Sequence, residues 1–299
     1  MTYLRQGASF AALLLMLVRA GETVLPASLQ EVVELVRVQD WKRAGAAVDA
    51  ALEKSPDNPP ALYWKAYVLF QTGSYQESSV YALRYLNKNP ASGDARKILG
   101  LAYFMQGQSE PAETELRRAS ELSPADAAVR YYLGRIQFER HNLPAALQSL
   151  QSAVTLEPGS IRAFNHLGQT YEGLARFEDA RAAYKTAIEL DQRQTKHSEW
   201  PYFNLGVLCL KEGQAPEAAR WLRQALAHKP AWADATVQLA AALGTANQYE
   251  EAKRLLEELL AVDPKNARAH YQLARVLIKM QLPDEARRHF LLFADLKRP

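Results

Sequence analysis

Few side chains in this sequence could do covalent chemistry, and their spacing argues against it. The six histidines, His141, His166, His197, His228, His270 and His289, are dispersed, and no two share the i, i+4 spacing that aims two imidazoles at one metal from a helix face. Each reads as a surface or groove histidine, so no metal site and no cofactor are expected. Cys209, the single cysteine, cannot form a disulfide within the chain and falls at an apolar register position, where a thiol is buried and inert. The acid pairs Glu250-Glu251 and Glu257-Glu258 belong to the polar side of a helical stretch, and no carboxylate dyad for acid–base work is implied. The phosphate loop GxxxxGKS/T, the metalloprotease motif HExxH and the nucleophile elbow GxSxG are all missing. An enzyme is therefore not expected. What remains is noncovalent: 14 Tyr, 9 Phe and 5 Trp, residue types that with Arg supply the anchors of recognition surfaces.

The elements that must position these rings come from an internal repeat. Pro56, Pro90, Pro124 and Pro158 are 34 residues apart, as are Pro230 and Pro264; between the two blocks four extra residues break the period, within the segment QRQTKHSE at 192–199. Eight repeats result: 25–58, 59–92, 93–126, 127–160, 161–198, 199–232, 233–266 and 267–298. Position 8 is Val32, Ala66, Gly100, Gly134, Gly168, Gly206, Ala240 and Ala274. Position 20 is Ala44, Ser78, Ala112, Ala146, Ala180, Ala218, Ala252 and Ala286. In the third repeat, Leu99, Ala102 and Tyr103 follow helical spacing, Gly107 suits a left-handed helix end, and Pro111 suits the first turn of a second helix. The pattern predicts two antiparallel helices per repeat, with small residues at positions 8 and 20 letting their axes approach. Position 27 does the same toward the next repeat, except where Tyr85, Leu259 and Phe293 should reshape the junction. The insertion reads as a bulge or, alternatively, as a contact loop using Arg193, Lys196 and His197.

The segments LGLAYFMQGQSEPAETELRRASELSP (99–124) and FNHLGQTYEGLARFEDARAAYKTAIELD (164–191) resemble the tetratricopeptide repeat (TPR) family, and the resemblance extends over 25–298. It implies an all-α fold, a TPR solenoid: a right-handed superhelix of about eight helix-turn-helix repeats whose first helices line a concave groove. On that geometry the expected partner-binding residues are Tyr63, Trp64 and Tyr67 in the second repeat, Lys97, Leu101 and Met105 in the third, Tyr131, Tyr132 and Arg135 in the fourth, and Arg162, Asn165 and Gln169 in the fifth. Phe70, Phe104 and Phe138 belong either to this surface or to helix packing. An aromatic groove suits a peptide or helix of a protein partner, so the expected function is a non-enzymatic protein-protein interaction scaffold. The alternative is a membrane-tethered TPR subunit that organises an envelope assembly such as secretion, pilus or cell-wall machinery.

Lys+Arg 36 against Asp+Glu 33 leaves a net charge of +3 with no basic cluster, so a nucleic-acid partner is not expected. Residues 1–20 combine Arg5, an apolar run over 8–18, and small residues at Val18 and Ala20 before Gly21, the layout of a signal peptide. Residues 21–24 are then a linker, and the chain is expected to be exported, periplasmic or secreted; retention of 8–18 as a membrane anchor is the alternative. Near the other end, Leu291, Leu292 and Phe293 are expected to be under-covered, either packed on a second copy in a homodimer or fraying.

Overall fold

The computed structural model describes residues 27–297. The expected signal segment 1–20 and linker 21–24 lie outside the described residues. Among the described residues there are sixteen helices and no strand. They form eight hairpins: α1 (Ala27–Arg37) with α2 (Trp41–Lys54), α3 (Pro59–Thr72) with α4 (Tyr75–Lys88), α5 (Gly93–Met105) with α6 (Ser109–Leu122), α7 (Ala127–Glu139) with α8 (Leu143–Leu156), α9 (Ile161–Gly173) with α10 (Phe177–Asp191), α11 (Trp200–Lys211) with α12 (Ala215–His228), α13 (Ala233–Thr245) with α14 (Tyr249–Val262), and α15 (Ala267–Lys279) with α16 (Pro283–Leu296). The chain divides after Pro158 into two compact units, α1–α8 and α9–α16.

Local chemistry fixes where these helices start and turn. Side-chain oxygens of Asn58, Ser92, Asp126 and Asn266 accept backbone N–H groups in the first turns of α3, α5, α7 and α15 at 3.0–3.2 Å, filling donors that a helix start leaves open. Every hairpin turns through a left-handed residue at position 15. Gly73, Gly107 and Gly213 hold it at φ 88°, 75° and 76°, while Gln39, His141, Ala175, Asn247 and Gln281 are forced to φ 57–61°. The side chains in that backbone region cost about 1–2 kcal/mol each.

Within a hairpin, the small residues do what their register requires. All eight position-20 residues, from Ala44 to Ala286, are fully buried. The glycine at position 8 is a notch filled from the second helix of the same hairpin by residue 24. A Cβ at Gly100, Gly134 or Gly206 would lie 2.7 Å from the Cγ of Leu116, Leu150 or Leu222, and one at Gly168 would lie 2.5 Å from a ring carbon of Tyr184. In the second hairpin, the Ser78 hydroxyl instead donates to the Ala66 carbonyl at 2.8 Å.

Within each compact unit, every first helix packs on the next first helix, so α1, α3, α5 and α7 form one continuous row and α9, α11, α13 and α15 another. In the second unit the insertion lengthens α10 to 15 residues, against 14 in α8, and 192–199 form a turn-rich loop before α11. On α16, Leu291 and Leu292 are exposed, whereas Phe293 packs on the Tyr271 ring at 5.1 Å. No described helix is long and apolar enough to cross a membrane.

Candidate functional site

The expected binding residues lie on α3, α5, α7 and α9, all first helices, but five of them are inside the protein. Trp64 is 1% exposed and packs among Leu29, Val32, Val36 and Val48 of the first hairpin. Tyr131 and Tyr132 are 6% and 7% exposed; their rings meet edge to face at 4.9 Å, and Tyr132 reaches Phe104 on α5 at 6.3 Å. Leu101 and Asn165 are buried as well. The expectation that Trp64, Leu101, Tyr131, Tyr132 and Asn165 line an open surface is therefore corrected. Trp64, Tyr132 and Asn165 reach the neighbouring hairpin, and burying an aromatic ring there is worth about 1.5–3 kcal/mol.

Tyr63 and Tyr67 are half-buried around the same plug. Tyr63 packs on Trp64 at 5.4 Å and on Tyr85 at 5.5 Å; Tyr67 packs on Trp64 at 5.8 Å and on Trp41 at 6.3 Å. The large residue at position 27, Tyr85, thus reshapes its junction by gathering rings. Burial pushes the Tyr63 and Tyr67 phenols above their ordinary value, so both stay neutral.

The charged members of the set are already engaged. Lys97 Nζ reaches Asp126 at 2.7 Å and Asp94 at 3.3 Å. Burial alone would lower the ammonium pKa, but the two carboxylates outweigh it and raise it. The same Asp126 caps α7, which ties the α5 ammonium to the start of the next first helix. Arg135 lies 4.7 Å over the Phe104 ring and donates to Glu139 at 3.1 Å. Met105 is exposed, and Arg162 and Gln169 on α9 are half-buried. Asn165 Oδ1 accepts from Asn204 on α11 at 2.9 Å, and Glu172 accepts from the Tyr184 hydroxyl at 3.0 Å and pairs with Lys211. The α9–α11 contact is therefore polar where the α5–α7 contact is aromatic.

The largest open ring lies elsewhere. Of the five tryptophans, Trp200 at the start of α11 is the exposed one, at 46%. Trp232 meets it edge to face at 4.8 Å, Phe203 stands 6.3 Å away, and Lys229 Nζ lies 4.8 Å from the Trp232 ring. Trp200 occupies position 2 of its repeat, a groove register, so its type and place were readable; the aromatic count of the earlier repeats outweighed it. The histidines are less dispersed in space than in sequence. Asp191, His197 and His228 converge in the second unit. His270 Nδ1 faces His289 Nδ1 at 2.9 Å while His270 Nε2 meets the Pro264 carbonyl at 3.0 Å. Since a carbonyl only accepts, His270 Nε2 carries a proton and donates it to Pro264. Cys209 is buried; Arg181 donates to its sulfur at 3.5 Å, and burial pushes the thiol pKa up, which leaves it inert.

Family models described as tetratricopeptide repeat match residues 29–90 and 99–161, 159–231, and 245–291. Protein CTR9 homolog from Arabidopsis thaliana is 27% identical over 209 residues, which cover 56% of this chain and 19% of that protein. The chain thus spans about a fifth of the length of that curated relative. Among solved structures, the anaphase-promoting-complex hetero-tetramer Cut9-Hcn1 matches with a TM-score of 0.61 at 16% identity, over 86% of this chain and 50% of that one. YrrB, described as a TPR protein with an unusual peptide-binding site, matches with a TM-score of 0.52 at 18% identity, over 61% of this chain and 92% of that one.

Proposed function

The chain belongs to the tetratricopeptide-repeat family, and from that premise we propose that it is a non-enzymatic scaffold that holds an extended segment or helix of a protein partner against its first-helix rows. The observation that carries this reading is Trp200. An exposed indole, braced by Trp232 and Phe203 and flanked by the Lys229 ammonium, is the residue type and setting of an interface anchor. In the first unit, Met105, Arg135 and the half-buried Tyr63 and Tyr67 supply the accessible part of the row. The YrrB likeness supports a peptide ligand at the level of fold.

Selection of a displayed peptide library on the full chain tests this. Peptides retained by the wild type and lost by Trp200→Ala, with the helical circular dichroism unchanged, support the reading. Retention of every selected peptide by Trp200→Ala would overturn the assignment of the anchor.

We further propose that residues 1–20 direct export and are removed before Gly21, which the mass of the mature amino terminus checks. A retained segment would favour instead the tethered subunit of an envelope assembly. The exposed Leu291 and Leu292 on α16 are the surface through which a homodimer would form, and sedimentation of a Leu291→Glu/Leu292→Glu variant against wild type checks that.

A further inference from the structure

We propose that Asp191, His197 and His228 form a binding site for one divalent transition-metal ion of the zinc class, assembled by the four-residue insertion that breaks the repeat. One ligand atom from each of the three residues lies within 4.8 Å of the other two. Asp191 ends α10, His228 ends α12, and His197 arrives on the inserted loop. The rings of His197 and His228 are 4.8 Å apart and inclined by 32°. His197 Nδ1 faces Asp191 Oδ2 at 3.0 Å.

The surroundings are those of a built site. Asp191 is fully buried, and its carboxylate accepts the Ser198 N–H at 2.7 Å on one oxygen and the Tyr202 hydroxyl at 3.1 Å on the other. Such donors hold a ligating carboxylate in a fixed orientation. Both histidines are exposed, so the third side of the cluster is open to solvent and an ion has a path in. The register gives an independent comparison. The seventh repeat carries an aspartate at the same position, Asp263, without an insertion, and there the carboxylate is exposed. The segment 192–199, which holds the four extra residues, delivers both Ser198 and His197 to Asp191. A buried carboxylate is costly unless its charge is compensated, and here the imidazole of His197 faces it at 3.0 Å. Two imidazole nitrogens and one carboxylate oxygen suit zinc, cobalt or nickel, and not the all-oxygen shells of magnesium or calcium. Water completes the coordination.

The test uses the full chain, stripped with a chelator and then titrated with Zn²⁺ by calorimetry, with Mg²⁺ in parallel. The expected result is saturable binding of one Zn²⁺ per chain, a rise in melting temperature with Zn²⁺, and no response to Mg²⁺. His197→Ala and His228→Ala, both at exposed positions, should keep the helical signal and each weaken Zn²⁺ binding by more than about tenfold. A His270→Ala/His289→Ala variant should bind as the wild type does. Absence of Zn²⁺ binding to the wild type, equal binding of Mg²⁺, or unchanged binding by the His197→Ala/His228→Ala double variant would each overturn the site.

Discussion

Two tryptophans on first helices meet opposite fates. Trp64 on α3 is sealed between the first two hairpins, and Trp200 on α11 stands open with other rings bracing it. Both fall at registers that the repeat geometry directs toward the first-helix row. Trp64, at position 6, packs into the core of the preceding hairpin, whereas Trp200, at position 2, stands at the start of its helix against Trp232 and Phe203. One indole therefore serves stability and the other stays accessible to solvent.

The largest expected effect follows from this contrast. Trp64→Ala should cost about 3–5 kcal/mol by leaving a cavity among Leu29, Val32, Val36 and Val48, whereas Trp200→Ala should change stability by about 0.5 kcal/mol. Urea unfolding of the two variants checks both, and similar costs would erase the distinction.

A second way to break the seal works from the far side of a helix. Gly134→Ala places a methyl 2.7 Å from Leu150 Cγ, which pushes α7, and Tyr131 and Tyr132 with it, off α8. The expected cost is about 1–3 kcal/mol, together with greater quenching of tyrosine fluorescence. At Gly45 the nearest atom to an added methyl is Val68 Cγ1 at 3.8 Å, so Gly45→Ala is the control that should be neutral or slightly stabilising.

Acid sharpens the comparison between the two units more gently. The first unit has one histidine, His141, exposed at a turn; the second has five. Burial, then the neighbouring His270, hold His289 below its ordinary pKa of about 6.5, with Lys253 adding to the shift and Glu257 and Glu285 opposing it. The unfolded chain therefore takes up this proton before the folded one does. The stability that neutral His289 contributes is complete above about pH 6.5 and drains away as pH falls below that. Hydrogen exchange in α15 and α16 should speed up relative to α3 and α4 between about pH 7 and 5, and His289→Phe should flatten the difference.

Much of the fold was legible in the sequence because the repeat imposes one environment at one register. Ala112, Ala146 and Ala218 are buried for the reason their spacing announced, and Gly107 takes the left-handed turn expected of it. The site was less legible. An aromatic at position 5 or 6 carries no mark in its type that separates Tyr132, closed over Phe104, from a free ring; the neighbouring hairpin decides. Residue 24, which fills the glycine notch, shows no constancy of type, since Tyr184 does there what leucine does elsewhere. The Asp191, His197 and His228 cluster spans 37 residues between its ends in sequence, and helical spacing within one element could not bring it into view.

The notch at position 8 has a bearing on how such a chain tolerates change. Each glycine is occupied by a side chain from its own hairpin, so the lock that holds a hairpin shut is indifferent to the length of the link that follows it. Links between hairpins can then be lengthened one at a time while the locks on either side stay closed, as the stretch after Asp191 already has been. New chemistry can be written into those links by insertion, leaving the stacked architecture that displays it as it was.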